Sequence, residues 1–115
     1  MVRKPEFETK FNVRGAPGSV EFHHVLPEAE MMGHGTLYAK LVIKPGSGIG
    51  WHQHVGNKEP YYILSGQGRF TDNDGTVTMV GPGDVCYIEC GQSHSIYNTS
   101  ETEDLEFMAL ILNEN

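Results

Sequence analysis

Residues 46–66 read GSGIGWHQHVGNKEPYYILSG and combine turn residues with three side chains that can bind a metal. His52 and His54 are two residues apart, so on a β-strand both imidazoles leave the same face. A turn at Gly56 and Asn57 then lets Glu59 return on the neighbouring strand. The segment therefore predicts that two imidazoles and one carboxylate approach a common point.

Three such donors on one side of a metal ion leave coordination positions open on the other side. A fourth imidazole, His94, follows a turn at Gly91 and begins a later strand, from which it can also reach inward. The alternative is that these histidines lie at the surface or bind backbone groups, because an H-x-H pattern alone is a weak signal. The remaining histidines are interpreted as solvent-facing or hydrogen-bonding residues: His23, His24 and His34.

Length and charge restrict the function. The chain has 115 residues, the size of one compact domain, with 8 Lys and Arg against 15 Asp and Glu, a net charge of −7. No basic cluster is present to bind phosphates, which argues against nucleic acid as a partner. The first residues contain no apolar core of a secretory signal, and no apolar run approaches a membrane span. We expect a cytoplasmic protein that does not bind membranes.

Turn signals recur about every ten residues and separate short strands. Residues 37–44 alternate apolar and other side chains until Pro45, and the segment Asp72-Asn73-Asp74-Gly75 is typical of a hairpin turn. This pattern predicts an all-β sandwich or barrel with at most a turn or two of helix at residues 27–32. We divide the chain into residues 1–35, an irregular N-terminal arm with a first strand that packs on the barrel or a partner subunit, and residues 36–115, the barrel.

Two further features concern packing. The last strand, near residues 105–112, is apolar on both faces and needs cover from the N-terminal arm or from a second subunit. Cys86 and Cys90 would lie about 13 Å apart on a strand, beyond disulfide reach. Both are interpreted as free thiols.

The spacing of glycines and histidines resembles the cupin superfamily. Its first motif is G-x5-H-x-H-x(3–4)-E-x6-G, and this chain matches it from Gly46 to Gly66. Its second motif is G-x5-P-x-G-x2-H-x3-N, which runs here from Gly83 to Asn98 with Glu89 in place of the proline. Short phrases such as PGSGIGWHQH and GQSHSIYN look most similar to the small single-domain cupins grouped with oxalate decarboxylase.

This resemblance implies an antiparallel double-stranded β-helix, or jelly-roll barrel, with one divalent metal inside. The implied ligands are His52, His54, Glu59 and His94. Such a ligand set suits several metals. The family favours Mn(II) or Fe(II), with Ni(II) or Zn(II) as alternatives. It also implies a homodimer.

Four residues are predicted to line a substrate pocket: Tyr61, Arg69, Ile96 and Phe107. Tyr61 shares the strand face of Glu59, although core packing is the commoner fate of a strand tyrosine, and Ile96 shares the face of His94. Either Phe107, or Met108 on the opposite face of its strand, can form a cavity wall, and parity does not decide between them. Arg69, and also Arg14, are candidate partners for a second carboxylate, with a solvent-exposed arginine as the alternative. No acid or base residue is identified, and no segment stands out as a lid.

Two functions follow from these features. The first is a metal-dependent decarboxylase or dioxygenase that acts on a small carboxylate or enediol chelated by the metal. The second is a non-catalytic module that binds or senses a small metabolite. The known oxalate decarboxylases carry two cupin domains in one chain, which separates this chain from that reaction.

Overall fold

The computed structural model describes residues 1–114 and consists almost entirely of antiparallel strands. The strands are β1 (Glu6–Phe11), β2 (Ser19–Leu26), β3 (Gly35–Ile43), β4 (Gly48–Gln53), β5 (Asn57–Ser65), β6 (Gly68–Thr71), β7 (Val77–Val80), β8 (Val85–Ile88), β9 (Ser93–Tyr97) and β10 (Leu105–Asn113). They form a six-stranded sheet in the order β1-β2-β3-β10-β5-β8 and a four-stranded sheet in the order β4-β9-β6-β7. The predicted all-β jelly-roll barrel is confirmed.

The core lies between the two sheets, where alternate residues of each strand point inward. In β10, for example, Leu105, Phe107 and Ala109 are fully buried while the intervening side chains are half-exposed. Inward residues of the other strands complete this core: Val20, Phe22, Ala39, Leu41, Ile43, Ile49, Tyr61, Ile63, Phe70, Val80, Cys86 and Ile96. The core fills one part of the barrel, and the polar site described below lies beside it.

The N-terminal region is more regular than the sequence suggests. It contains two strands, not one, and β2 pairs with β3 while β1 pairs with β2 at the sheet edge. Residues 1–35 thus contribute two regular strands to the edge of this sheet. Because β1 and β2 extend the sheet sideways, they do not cover the outer face of β10, which lies between β3 and β5.

Turns and helices follow the sequence closely. The predicted hairpin joins β6 to β7, with the Asp72 N–H donating to the Thr76 carbonyl at 2.9 Å. A short 3-10 helix at Glu28–Met31 confirms the predicted helical turn, and another spans Val13–Gly15. No helix within residues 1–114 is long and apolar enough to cross a membrane. Cys86 and Cys90 are both free, as predicted.

Candidate metal centre

The structure brings together the four predicted ligands, and one ligand atom from each lies within 4.8 Å of the others. His54 Nε2 lies 3.2 Å from His52 Nε2 and 3.0 Å from His94 Nε2. Glu59 Oε1 lies 3.1 Å from His54 Nε2 and 3.4 Å from His94 Nε2. Three imidazoles and one carboxylate therefore converge on a single small volume.

Strand pairing explains this convergence. His52 of β4 is the direct cross-strand partner of His94 of β9, so both side chains enter the barrel at the same level. His54 lies just past the end of β4, where its backbone is fixed by hydrogen bonds to Gln92 and Gly91. Glu59 enters from β5 of the opposite sheet. The site is thus built across both sheets.

The turn before His94 forms without the proline of the motif. The Gln92 N–H donates to the Glu89 carbonyl, and the Glu89 N–H donates to Gln92 Oε1 at 3.0 Å. These two hydrogen bonds close the turn that a proline would otherwise stiffen. Replacing the proline by Glu89 therefore leaves the entry into β9 intact.

Two of the imidazoles are oriented by acceptors on their outer nitrogen. His52 Nδ1 lies 2.7 Å from the Gly50 carbonyl oxygen, and His54 Nδ1 lies 2.6 Å from Asn57 Oδ1. Because both partners are acceptors, each Nδ1 must carry the hydrogen. In the neutral ring, each Nε2 then presents a lone pair to the centre of the cluster, as metal ligation requires.

His94 is held by packing instead. Its ring stacks on Tyr61 with a centroid distance of 5.4 Å and meets Phe70 edge-on at 5.7 Å. Within the described residues, His94 Nδ1 is buried without a hydrogen-bond partner. Leaving such a group unpaired costs about 1–3 kcal/mol, which a further interaction of the ring has to offset.

The electrostatics of the four groups favour a positive charge between them. Burial, with the neighbouring imidazoles adding to it, lowers the pKa of His52 to about 4, so this ring is neutral near pH 7. Burial opposes protonation of His54, but its hydrogen bonds to Glu59 and Asn57 prevail and raise its pKa. Burial likewise opposes ionisation of Glu59, but the imidazoles of His54 and His94 prevail and lower its pKa. A proton on His54 Nε2 and a metal ion would compete for the same lone pair.

The donor spacing fits a metal ion. Two ligands at right angles, each about 2.1 Å from a metal, are separated by about 3.0 Å. The four distances given above, between 3.0 and 3.4 Å, are close to this value. Without a cation, the lone pairs of neighbouring Nε2 atoms would repel one another at such distances. The residues present therefore fit a divalent metal held by His52, His54, Glu59 and His94.

Asn57 is expected to control metal affinity through His54. Asn57→Leu removes the acceptor on Nδ1 and should weaken Mn(II) binding about 10- to 100-fold, the usual effect of losing such a partner. Asn57→Asp keeps an acceptor and should bind Mn(II) at least as tightly as the wild type. Isothermal titration calorimetry measures both. Asn113→Leu is the matched control, since Asn113 is the strand partner of Asn57 but donates its side-chain hydrogen bond to the Gly33 carbonyl; an equal loss in this variant would refute the role of Asn57.

A cavity of about 250 Å³ opens beside the cluster and includes three of its ligands in its wall. Two cations also line it, Lys10 and Arg14, and both side chains belong to exposed residues. Arg14 lines the same cavity as His52 and His54. In a chain of net charge −7, the cavity thus brings two cations close to the Glu59 carboxylate.

The segment that carries Arg14 has an unusual backbone. Asn12 and Arg14 both adopt left-handed conformations with φ of 53°, which cost energy for residues other than glycine. Gly50 of β4 packs directly under this segment, and a Cβ at that position would collide with the Arg14 carbonyl oxygen. Asn12 Nδ2 donates to the Ala16 carbonyl at 3.2 Å. These contacts hold Arg14 at the cavity in spite of the strain.

The predicted pocket residues lie in three different places. Tyr61 lines the cavity, and its burial, with the Glu59 charge adding to it, raises its pKa well above the usual value. Phe107 and Ile96 are fully buried in the core, where Phe107 packs on Tyr61 at 4.3 Å. Arg69 is exposed and its guanidinium lies 5.3 Å from the centre of the Tyr97 ring. The structure therefore brings only Tyr61 of these four residues to the cavity.

Arg69 faces outward because of strand parity. Its neighbour Phe70 is buried in the core, so Arg69 must point to the other face of β6. The other histidines also lie apart from the cluster: His23 Nε2 contacts Glu21 at 3.3 Å and His24 Nε2 contacts Glu8 at 3.2 Å.

Sequence reasoning missed Asn57 and Lys10. From the sequence, Asn57 is interpreted only as a turn residue. Its position between His54 and Glu59 nevertheless makes it a candidate to accept a hydrogen bond from an imidazole. The sequence does not indicate that Lys10 lies at the cavity, because its position depends on where β1 lies relative to the barrel end. Its ammonium lies 4.9 Å from the centre of the Phe22 ring, whose side chain also lines the cavity.

Comparison with known proteins agrees with this architecture. The sequence model of a protein family described as 'Cupin domain' matches residues 39–111 of this chain. The oxalate-binding protein of Thermotoga maritima is 46% identical over 101 residues, which cover 88% of this chain and 82% of that protein.

Solved structures are similar over most of their length. The crystal structure of a predicted oxalate decarboxylase from Thermotoga maritima is similar with a TM-score of 0.88 and 44% identity, covering 95% of this chain and 93% of that one. The polyketide cyclase RemF of Streptomyces resistomycificus shares the fold with a TM-score of 0.75, 17% identity, and coverage of 98% of this chain and 83% of that one. From the family match and the 46% identity, the chain belongs to the cupin family.

Proposed function

We propose that the chain binds one divalent metal through His52, His54, Glu59 and His94 and uses it to bind a small carboxylate or enediol in the adjoining cavity. The observation that carries this proposal is the convergence of three Nε2 atoms and one carboxylate oxygen beside a cavity lined by two cations. Mn(II) or Fe(II) is the proposed metal, with Ni(II) or Zn(II) as alternatives.

Different groups in the site bind different parts of the ligand. A bound divalent metal would supply a positive centre with open positions for ligand oxygens, and an electron donor if it were iron or manganese. Arg14 and Lys10 add positive charge for the part of the anion that faces solvent. Tyr61 also lines the cavity, and its phenol is a hydrogen-bond donor there.

A decarboxylase or dioxygenase is the first candidate activity, because the site combines open metal positions with an anion-binding cavity. The second candidate, a non-catalytic binding module, is favoured by the name of the 46% identical relative, an oxalate-binding protein. Both candidates require the same metal and the same anion site.

Measurements of binding and turnover separate the two. Calorimetry on the Mn(II)-loaded chain should show oxalate or a related small carboxylate binding, and the metal-free chain should bind at least about tenfold more weakly. Release of CO2 or uptake of O2 over a panel of dicarboxylates, catechols and diketones identifies an enzyme, and binding without turnover identifies the module. Equal carboxylate affinity with and without metal would contradict the proposal.

A homodimer is also proposed, formed through the outer face of the six-stranded sheet. Tyr62 and Val85 are direct partners on β5 and β8, and they are 51% and 66% exposed. Tyr87 beside them is 43% exposed, and Met108, the partner of Tyr62 on β10, is half-exposed. A second copy presents the same apolar surface, so a two-fold contact would cover both.

Tyr62→Glu should convert this dimer to a monomer, because it places a charge in the centre of the apolar face. Sedimentation velocity at micromolar concentration measures the change. Val77→Glu, at an exposed position of the other sheet, is the control and should stay dimeric. A monomeric wild type at the same concentration would remove the proposal.

A further inference from the structure

The cavity has two chemically different sides. One side carries the metal-binding residues and Arg14, whereas the other is apolar and is contributed by the inward faces of four strands and by the segment before β2. Its apolar residues are Val13, Phe22, Leu37, Leu41, Ile49 and Ile111. An anion consisting only of oxygens and two carbons has no group that would use this apolar surface.

The volume points in the same direction. A cavity of about 250 Å³ is several times the ~30 Å³ that one molecule occupies in liquid water. It therefore has room for atoms beyond a chelating head of one carboxylate and one neighbouring oxygen. The surface available to them is the apolar side.

A second carboxylate is a poor occupant of that side. Leu41 and Ile49 are buried and offer no hydrogen bond, and an unpaired charge against them would lose its hydration. Lys10 lies over the Phe22 ring on that side, but its ammonium already contacts Glu8 Oε1 at 3.5 Å. The apolar residues instead gain from contact with carbon atoms, at about 0.8 kcal/mol for each buried methylene.

We infer that the site takes 2-oxo or 2-hydroxy acids with a short apolar side chain, whose acid head lies at the metal and Arg14 and whose carbons lie against Leu37, Leu41 and Ile111. This rests on the proposed function, since the metal holds the head. It differs from oxalate binding because it assigns a role to the apolar side. Contact with this side determines which length of ligand side chain binds best.

Calorimetry with three straight-chain acids tests this inference. The Mn(II)-loaded chain is titrated with pyruvate, 2-oxobutanoate and 2-oxopentanoate, which share one head and differ by single methylenes. Affinity should rise about fourfold at each step, the ratio that corresponds to 0.8 kcal/mol. If the affinity of the wild type stays the same or falls from pyruvate to 2-oxopentanoate, the inference is overturned.

Variants locate the effect. Ile111→Thr and Leu37→Asn each make the apolar side polar at a partly exposed position, and the increment per methylene should fall below twofold. Val77→Thr, on the distant strand β7, should keep the wild-type increment. An unchanged increment in both cavity variants overturns the inference, and the use of two positions guards against one that fails to fold.

The same titrations separate failure of this inference from failure of the proposed function. If Mn(II) and pyruvate bind but the three acids bind with equal affinity, the metal site is supported and the inferred role of the apolar side is wrong. If Mn(II) does not bind the wild type, both are wrong. Variants are compared only after circular dichroism shows the wild-type fold.

Discussion

Replacing His52 and His94 together by alanine is expected to abolish metal binding. Losing one direct ligand should cost at least the 10- to 100-fold in affinity that an outer-shell partner costs, so losing two should cost up to about four orders of magnitude. Mn(II) at 100 times its Kd should raise the melting temperature of the wild type by about 10 °C, and the double variant should show no shift. Differential scanning calorimetry measures both.

Controls make this result specific to the cluster. His23→Ala with His24→Ala also removes two histidines, but ones that contact Glu21 and Glu8 outside the cluster, and should keep the full shift. His94 is 1% exposed, so its removal can weaken the fold. The single variant His52→Ala, at a half-buried position, should fold and still lose most of the shift. A full shift in the double variant would show that the ligands lie elsewhere.

Arg14→Met should weaken carboxylate binding about 10- to 100-fold and leave Mn(II) affinity nearly unchanged. A hydrogen bond to a charged group contributes about 1.5–3 kcal/mol, which gives this range. Arg14 lines the cavity but is absent from the ligand cluster, so its loss affects the anion and not the metal. Calorimetry with oxalate on the Mn(II)-loaded protein provides the measurement.

The chain contains a matched control for this variant. Arg69 is also an exposed arginine, but it lies on the Tyr97 ring outside the cavity. Arg69→Met should therefore bind oxalate like the wild type. If the two variants lose affinity equally, the effect reports net charge and Arg14 has no specific role.

The sequence predicted the cluster because strand parity fixes the face of each side chain. His52 and His54 share parity, and the motif spacing supplied Glu59 and His94, all four of which the structure brings together. Parity also places Tyr61 on the strand face of Glu59, and both residues line the cavity. Parity depends only on the alternation of a strand, whereas the motif spacing rests on the resemblance to the cupins.

Strand parity gives the face on which a side chain lies but does not give its position along the barrel axis. Phe107 and Ile96 point inward, but they lie at the level of the core. Ile111, four residues beyond Phe107 on β10, shares its face and reaches the cavity. Depth depends on strand register, which the sequence alone did not fix.

Arg14 was considered from the sequence only as an alternative to Arg69. Its position at the cavity depends on left-handed backbone at Asn12 and Arg14 and on the close approach to Gly50. Such strain is maintained by surrounding contacts and leaves no simple pattern in the sequence. The irregular segment between β1 and β2 was therefore the part of the site that sequence reasoning described least well.

An anomalous-difference map from a crystal grown with Mn(II) tests the metal site most directly. We predict one peak per chain, about 2.0–2.3 Å from the Nε2 atoms of His52, His54 and His94 and from a carboxylate oxygen of Glu59. A map with no peak between these four residues, or with its peak at other side chains, would contradict the proposed metal site.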